Sequence, residues 1–201
     1  GTYDGAKLAA KRNKLSKNIH VIDSLNASMG QGQLTVLAAE CAAAGLSINE
    51  ASQIIKKEIP KIKTFIMLQD LTYAVNGGRL PRWVKSITDF FQLTPIMCIK
   101  KNGKIGIATC FFGRRNQISK YAKFISSLHC NNEKVQVGIG HAVLERDAKE
   151  LAKKLRKRIK QIDKLTICEL GPALGAHGGP GTLTVSTCPV TSIDNFTDRV
   201  N

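Results

Sequence analysis

The segment from Gly171 to Gly181 limits the fold more than any other stretch of the 201-residue chain. It reads Gly-Pro-Ala-Leu-Gly-Ala-His-Gly-Gly-Pro-Gly, so five of its eleven residues are glycines and two are prolines. This composition, between the apolar runs 165–170 and 182–187, predicts an irregular loop that is neither helix nor strand. Its backbone N–H groups and His177 favour an anion or a polar head group as ligand. A plain connector with one exposed histidine is the alternative.

From Lys63 onward, short apolar runs alternate with amphipathic segments. We expect strands in 64–68, 95–99, 105–111, 135–139, 165–170 and 182–187, and helices in 71–75, 82–93, 116–128 and 147–162. Asn102 and Gly103 suit a tight turn between the second and third strands. About six strands and four helices predict a two-layer α/β domain over residues 63–190, with a mixed sheet covered by helices on one face.

The first 62 residues have a different pattern. We expect helices in 1–15 and 33–44, and a third helix that begins at the capping box Ser47-Ile-Asn-Glu50 and ends near Glu58. The apolar run 18–23 is typical of a buried parallel strand. This α-β-α order predicts the remnant of a parallel-sheet α/β/α domain over residues 1–62. Residues 191–201 read as a polar tail.

The net charge of +15, from 30 Lys and Arg against 15 Asp and Glu, raises the alternative of a basic nucleic-acid-binding module. Two observations make nucleic acid the weaker hypothesis: the basic residues are spread over nearly every helical segment, and aromatic residues amount to 5%. The cationic face of the predicted helix 147–162 is either solvated or docks an acidic partner. Its members are Lys149, Lys153, Lys154, Arg156, Lys157 and Lys160.

The six cysteines are spread singly along the chain, with no CxxC pair and no histidine at metal-ligand spacing. We therefore expect reduced core cysteines, a cytoplasmic location and no metal site. The cysteines are Cys41, Cys98, Cys110, Cys130, Cys168 and Cys188. No apolar run approaches the roughly 20 residues that a membrane span needs.

Three features of the sequence suggest a ligand site or a catalytic site. Arg79 follows Gly77 and Gly78 at the end of a predicted helix, where its guanidinium could fork onto a carboxylate or phosphate. The alternative is an exposed arginine that interacts with the helix dipole. The segment from Ser28 to Gly32 precedes a predicted helix, which also favours anion binding. A hydrolase that uses Ser28 and His177 is a third hypothesis, but Ser28 lies too far beyond the run 18–23 for a nucleophile elbow.

Five motifs occur in a characteristic order. They are Asp23-Ser24, Ser28-x-Gly-x-Gly32, Asp70-Leu71 before Gly77-Gly78-Arg79, Pro95-Ile96 before Asn102-Gly103, and Gly175-x-His177-x-Gly-Pro-Gly181. With these motifs, residues 1–190 resemble the DegV family of fatty-acid-binding proteins. The resemblance implies two α/β domains with an acyl chain held between them and no catalysis by the protein itself. It implies a long-chain fatty acid as ligand, no cofactor, and a fatty acid kinase as partner.

The resemblance also implies roles for particular residues. Arg79 and His177 would lie near the ligand carboxylate or the surface that faces the kinase, and the ligand loops would contain Gly77, Gly78, Gly175, Gly179 and Gly181. In the family a carboxylate-binding Ser precedes Gly-Thr-Tyr. Because this chain begins with Gly1-Thr2-Tyr3, we expect that Ser and its Thr partner to lie upstream.

An acyl chain requires a long apolar cavity, because each buried CH₂ contributes about 0.8 kcal/mol. The predicted lining residues are Phe65, Met67, Phe90, Phe91, Ile96 and Met97.

Overall fold

The computed structural model describes residues 2–13, 18–113, 115–129 and 133–190 of the chain. The helices are α1 (Thr2–Arg12), α2 (Ser28–Ala43), α3 (Ile48–Glu58), α4 (Thr72–Asn76), α5 (Arg82–Phe90), α6 (Gln117–Ser127), α7 (Glu145–Arg158) and α8 (Pro172–Gly178). The strands are β1 (Lys63–Met67), β2 (Leu93–Ile99), β3 (Ile105–Phe112), β4 (Val135–His141), β5 (Ile162–Glu169) and β6 (Leu183–Pro189). The predicted polar tail lies outside the described residues.

The six strands form one mixed sheet in the order β3-β2-β1-β6-β4-β5. Only the β4–β5 pair is parallel, and the other neighbours are antiparallel. The β2–β3 hairpin closes between Lys100 and Lys104, where Gly103 adopts the positive φ that a tight turn requires. The predicted α/β fold with a six-stranded mixed sheet is confirmed.

Helices α6 and α7 cover one face of the sheet. Strand alternation directs Phe65, Ile139 and Val185 toward these helices, because successive side chains of a strand point to opposite faces. The helices contribute Tyr121 and Leu151, which have no exposed surface. This cluster is the largest of the apolar clusters in the described residues. It determines the position of the sheet relative to α6 and α7.

Helix α2 packs on the opposite face, where close approach depends on glycine. A methyl group built on Gly30 would lie 2.4 Å from the Thr64 hydroxyl oxygen, and one built on Gly138 would lie 2.5 Å from Met29 Cβ. Larger residues at either position would force the helix away from the strands. Gly30, the first glycine of the Ser28-x-Gly-x-Gly32 motif, therefore allows the helix to pack closely on the sheet.

Side-chain hydrogen bonds join α2 and the residue Asn26 before it to the sheet. Thr64 donates to Asn26 Oδ1 at 2.7 Å, and its oxygen lies 2.8 Å from the hydroxyl of Ser186. Since the single hydroxyl hydrogen of Thr64 is already used, Ser186 is the donor in the second bond. Ser28 and Thr184 form a similar pair at 2.8 Å. These bonds satisfy polar groups that would otherwise be costly to bury.

The segment before Lys63 differs from the prediction in one element. The predicted strand 18–23 is wrong, since these residues form no strand and the sheet begins at Lys63. An apolar run needs a hydrogen-bonding neighbour to become a strand, and this run has none. Ile22 packs instead against the apolar cluster of α2 and α3, which includes Cys188 of β6. The division of the chain at residue 62 stays a prediction.

The capping box is confirmed at α3. The Ser47 hydroxyl accepts from the Glu50 backbone N–H, and the Glu50 carboxylate accepts from the Ser47 backbone N–H at 2.8 Å. The Ser47 hydroxyl also donates to the Glu50 carboxylate at 2.6 Å, and this bond together with the one from the Ser47 backbone N–H holds the pKa of Glu50 below its ordinary value. Helix α2 begins earlier than predicted, at Ser28.

The segment Gly171–Gly181 is also more regular than predicted, because its first part forms helix α8. Pro172 occupies the first helical position, where a missing N–H costs nothing, and the following residues tolerate a helix. Gly179 follows the last helical residue with a φ of 74° and ends the helix. Gly181 also has a positive φ, of 86°. The prediction of an entirely irregular loop is therefore wrong.

Five cysteines are free thiols, and Cys130 lies outside the described residues. Burial raises the pKa of the Cys188 thiol to about 11. Within the described part of the chain, no helix has both the length and the apolar character needed to cross a membrane.

Leu151→Ala should lower the free energy of unfolding by about 3 kcal/mol, because the side chain is fully buried between α7 and the sheet. Urea denaturation measures the change. The matched control is Lys153→Ala on the exposed face of the same helix, which should change stability by less than about 0.5 kcal/mol. Equal effects of the two substitutions would contradict the described packing.

Candidate functional site

Helix α4 ends in a glycine turn that presents Arg79. Gly78 has a φ of 69°, and the Arg79 backbone N–H donates to the carbonyl of Ala74 at 2.8 Å. This is the hydrogen-bond pattern of a helix that ends on a left-handed glycine. The guanidinium is exposed, and its Nη1 donates to the carbonyl of Gly77 at 2.6 Å. The remaining donors of Arg79 stay available to a ligand.

His177, on the last turn of α8, meets the same glycine from the other side. A methyl group built on Gly77 would lie 2.6 Å from His177 Nδ1. The Nδ1 atom is buried and has no hydrogen-bond partner among the described residues. The two predicted head-group residues, which are 98 positions apart in the sequence, thus both contact Gly77.

A second glycine contact joins the same two helices. Tyr73 of α4 lies against Gly179, the residue that follows α8, and a methyl group built there would lie 2.3 Å from the ring carbon Cδ2. Gly179 has φ 74° and ψ 173°, a backbone conformation that is almost restricted to glycine. No sequence signal identifies Tyr73 in advance, because no sequence pattern indicates which side chain faces a given glycine.

The other predicted loop glycines have separate surroundings. A methyl group on Gly181 would lie 2.7 Å from Gln69 Oε1, whereas the region around Gly175 is open. Thr182 donates to the carbonyl of Gly179 at 2.8 Å, and the Gly181 backbone N–H donates to the carbonyl of Ala142 at 3.0 Å. The loop after α8 is therefore held by α4, by the residue after β4 and by its own hydrogen bond.

The structure separates the six predicted lining residues. Phe65, Met67 and Ile96 lie in the core beneath α6 and α7, where Met67 also lines the cavity described below. Phe90 and Phe91 are 80% and 58% exposed at the end of α5. Within the described residues, the six side chains do not surround one cavity. Met97 is separated from its neighbour Ile96 because successive side chains of a strand point to opposite faces of the sheet.

Met97 belongs to a small apolar cluster directly behind the Arg79 turn. The cluster contains Leu68, Leu71, Ala74, Val84 and Met97, with Ile66 and Leu80 packed against it. Helix α4 supplies Ala74, whose carbonyl accepts the Arg79 backbone N–H. The charged turn and this apolar layer therefore adjoin each other through one short helix.

A cavity of about 650 Å³ lies beside this cluster and shares Leu68 and Leu71 with it. Its volume falls within the ordinary range for small-molecule sites. The lining includes Asp70, Asp89, Asp147 and Lys85, and neither Arg79 nor His177 belongs to it. Lys85 pairs with Asp89 at 2.5 Å, and two hydrogen bonds from Thr72 lower the pKa of Asp70. Three carboxylates and one ammonium group give this lining an excess of negative charge, which does not favour a carboxylate head group.

Ser28 and His177 do not form a catalytic pair in this structure. The Ser28 hydroxyl is bonded to Thr184, and the buried Nδ1 of His177 has no partner among the described residues. A hydrolytic nucleophile needs a base within hydrogen-bond reach, and the described geometry provides none for Ser28. No group of histidine, cysteine and acidic side chains in the described ranges could hold a metal ion.

Helix α7 carries the predicted cationic face, opposite its buried residues. Lys149 pairs with Glu145 at 2.5 Å, and Lys154 pairs with Glu150 at 3.3 Å. Such exposed pairs contribute little to stability. Lys153, Lys154 and Lys157 border a surface cleft. The nucleic-acid alternative stays a prediction.

Comparison with known proteins gives the family. A family model described as "Uncharacterised protein, DegV family" matches residues 1–190. The chain belongs to the DegV family. A DegV domain-containing protein of Streptococcus pyogenes serotype M3 is 27% identical over 188 residues, which cover 92% of this chain and 64% of the relative. This DegV chain therefore spans about two thirds of the length of the curated relatives that it matches.

Two solved structures share the fold. A DegV family protein from Thermus thermophilus, described by its fatty acid binding, has a TM-score of 0.83 and 19% identity, covering 94% of this chain and 67% of the other. A stearic-acid-binding protein from Eubacterium ventriosum has a TM-score of 0.81 and 20% identity, covering 94% and 66%. At these identities the similarity establishes the fold of this DegV chain.

Gly179→Ala should lower the free energy of unfolding by about 2 kcal/mol, because the new methyl group meets the Tyr73 ring and the backbone conformation is strained. The matched control is Gly175→Ala, in the middle of α8 with open surroundings, which should leave stability unchanged or slightly raised. Thermal unfolding measures both variants. A Gly179→Ala protein as stable as the Gly175→Ala protein would contradict the described contact.

Proposed function

We propose that this DegV protein binds a long-chain fatty acid and performs no chemistry on it. The observation that supports the proposal is the convergence of Arg79 and His177 on Gly77, next to an apolar cluster. A fatty acid needs this combination, because its carboxylate requires donors and its chain requires an apolar surface. The fatty acids bound by the structurally similar proteins from Thermus thermophilus and Eubacterium ventriosum support the same assignment.

The head group is proposed to lie at the α4–α8 junction. Arg79 would donate to one carboxylate oxygen through the N–H groups that Gly77 does not use, and His177 would donate to the other through Nε2. A guanidinium matches a carboxylate in both charge and geometry. Exposure of Arg79 leaves the carboxylate near the surface.

The acyl chain is proposed to enter the apolar layer formed by α4, α5 and the sheet. Leu71, Val84 and Met97 are the buried side chains nearest to this path. Each CH₂ that leaves water contributes about 0.8 kcal/mol, so a chain of many carbons offsets the entropy lost on binding. The neighbouring cavity, which shares Leu68 and Leu71, would hold the far end of the chain.

A partner enzyme would perform any reaction on the carboxylate. A fatty acid kinase is the partner that we propose, because an exposed carboxylate could accept a phosphoryl group without leaving its site. The free thiols of the described cysteines support a reducing, cytoplasmic setting for this encounter.

Native mass spectrometry of the protein purified from cells, without added lipid, should show a mass increment equal to one long-chain fatty acid. The increment should persist through gentle desalting and disappear after organic extraction, because the bound chain is held by apolar contacts. A clean mass of the protein alone, with no uptake of added palmitic acid, would contradict lipid binding.

Arg79→Ala should weaken binding of palmitic acid by about tenfold, because a charge-assisted hydrogen bond is lost. Affinity for hexadecanol should stay unchanged, since the alcohol carries no charge. Arg82→Ala is the matched control, because Arg82 is exposed three residues further along. Isothermal titration measures all three proteins. Equal losses of affinity for palmitic acid and for hexadecanol would show that Arg79 does not bind the carboxylate.

A further inference from the structure

Helices α4 and α8 are joined by two reciprocal contacts between a ring and a glycine. His177 of α8 lies against Gly77 at the end of α4, and Tyr73 of α4 lies against Gly179 after α8. Both glycines are needed, since a methyl group would come within 2.6 Å of the facing ring at either site. Each helix thus fixes the ring that the other helix carries.

The first contact determines which nitrogen of His177 can meet a ligand. Nδ1 is buried against Gly77 without a hydrogen-bond partner. A hydrogen on Nδ1 would find no acceptor among the described residues. The neutral imidazole therefore keeps its hydrogen on Nε2, which can donate one hydrogen bond.

The second contact holds the first in place. Helix α8 has seven residues and none of them is buried, so few contacts fix its orientation, and the close approach of Gly178 to Thr182 is one of them. The Tyr73 ring occupies the space beside Gly179, two residues after His177. Tyr73 is 41% exposed and belongs to none of the three apolar clusters of the described residues.

We propose that Tyr73 is a positioning residue that holds α8 through Gly179 and thereby keeps His177 in the Nε2–H form, directed at a carboxylate. The inference rests on the proposed fatty-acid function and adds the residue that gives the head-group site its donor. Tyr73 acts through its ring face, and its hydroxyl has no part in the contact.

The test measures the tautomer and the affinity separately. Imidazole ¹⁵N chemical shifts of His177, assigned with His177→Gln, are recorded without lipid at about pH 8.5, where an ordinary imidazole is neutral. The unsubstituted protein and Tyr73→Phe should both show the Nε2–H form, because each keeps the ring. Tyr73→Ala should show a mixture of both tautomers and bind palmitic acid about tenfold more weakly, with hexadecanol unaffected.

The outcomes distinguish this inference from the proposed function. An Nδ1–H form in the unsubstituted protein overturns the positioning role, and this measurement does not depend on whether Tyr73→Ala folds. A pure Nε2–H form in folded Tyr73→Ala overturns it as well. If the tautomers change as expected and no protein in the series binds palmitic acid, the positioning role stands and the fatty-acid function fails.

Discussion

The close approach of α4 and α8 is the interaction on which the candidate site depends. Arg79 and His177 come from distant parts of the chain, and Gly77 is the residue that both contact. The approach is possible because Gly77 and Gly179 have no side chains where the facing rings lie. The absence of side chains at these two positions thus allows donor groups on other residues to come together.

The same principle operates where α2 meets the sheet. Gly30 and Gly138 permit the helix to approach until hydroxyl and amide groups of the two layers bond directly. The result is a polar layer in the centre of one sheet face, with an apolar core on the opposite face.

Sequence patterns predicted much of the fold because they report local physics. Short apolar runs predicted all six strands, Asn102-Gly103 predicted the hairpin turn, and Ser47 with Glu50 predicted a helix start. The run 18–23 was misread, since strand formation depends on a neighbouring strand that no local pattern can supply. Helix α8 was missed because the glycine content of its segment outweighed the favourable position of Pro172.

For the site, the sequence by itself determined the residue types: an arginine after two glycines and a histidine within a second glycine-rich segment. The packing of the whole chain is what places both side chains against Gly77 and Tyr73 against Gly179. It also places the six predicted lining residues in different parts of the molecule. The physical reason is that glycine motifs mark where atoms must approach closely, whereas the identity of the approaching atoms depends on helix packing across the whole chain.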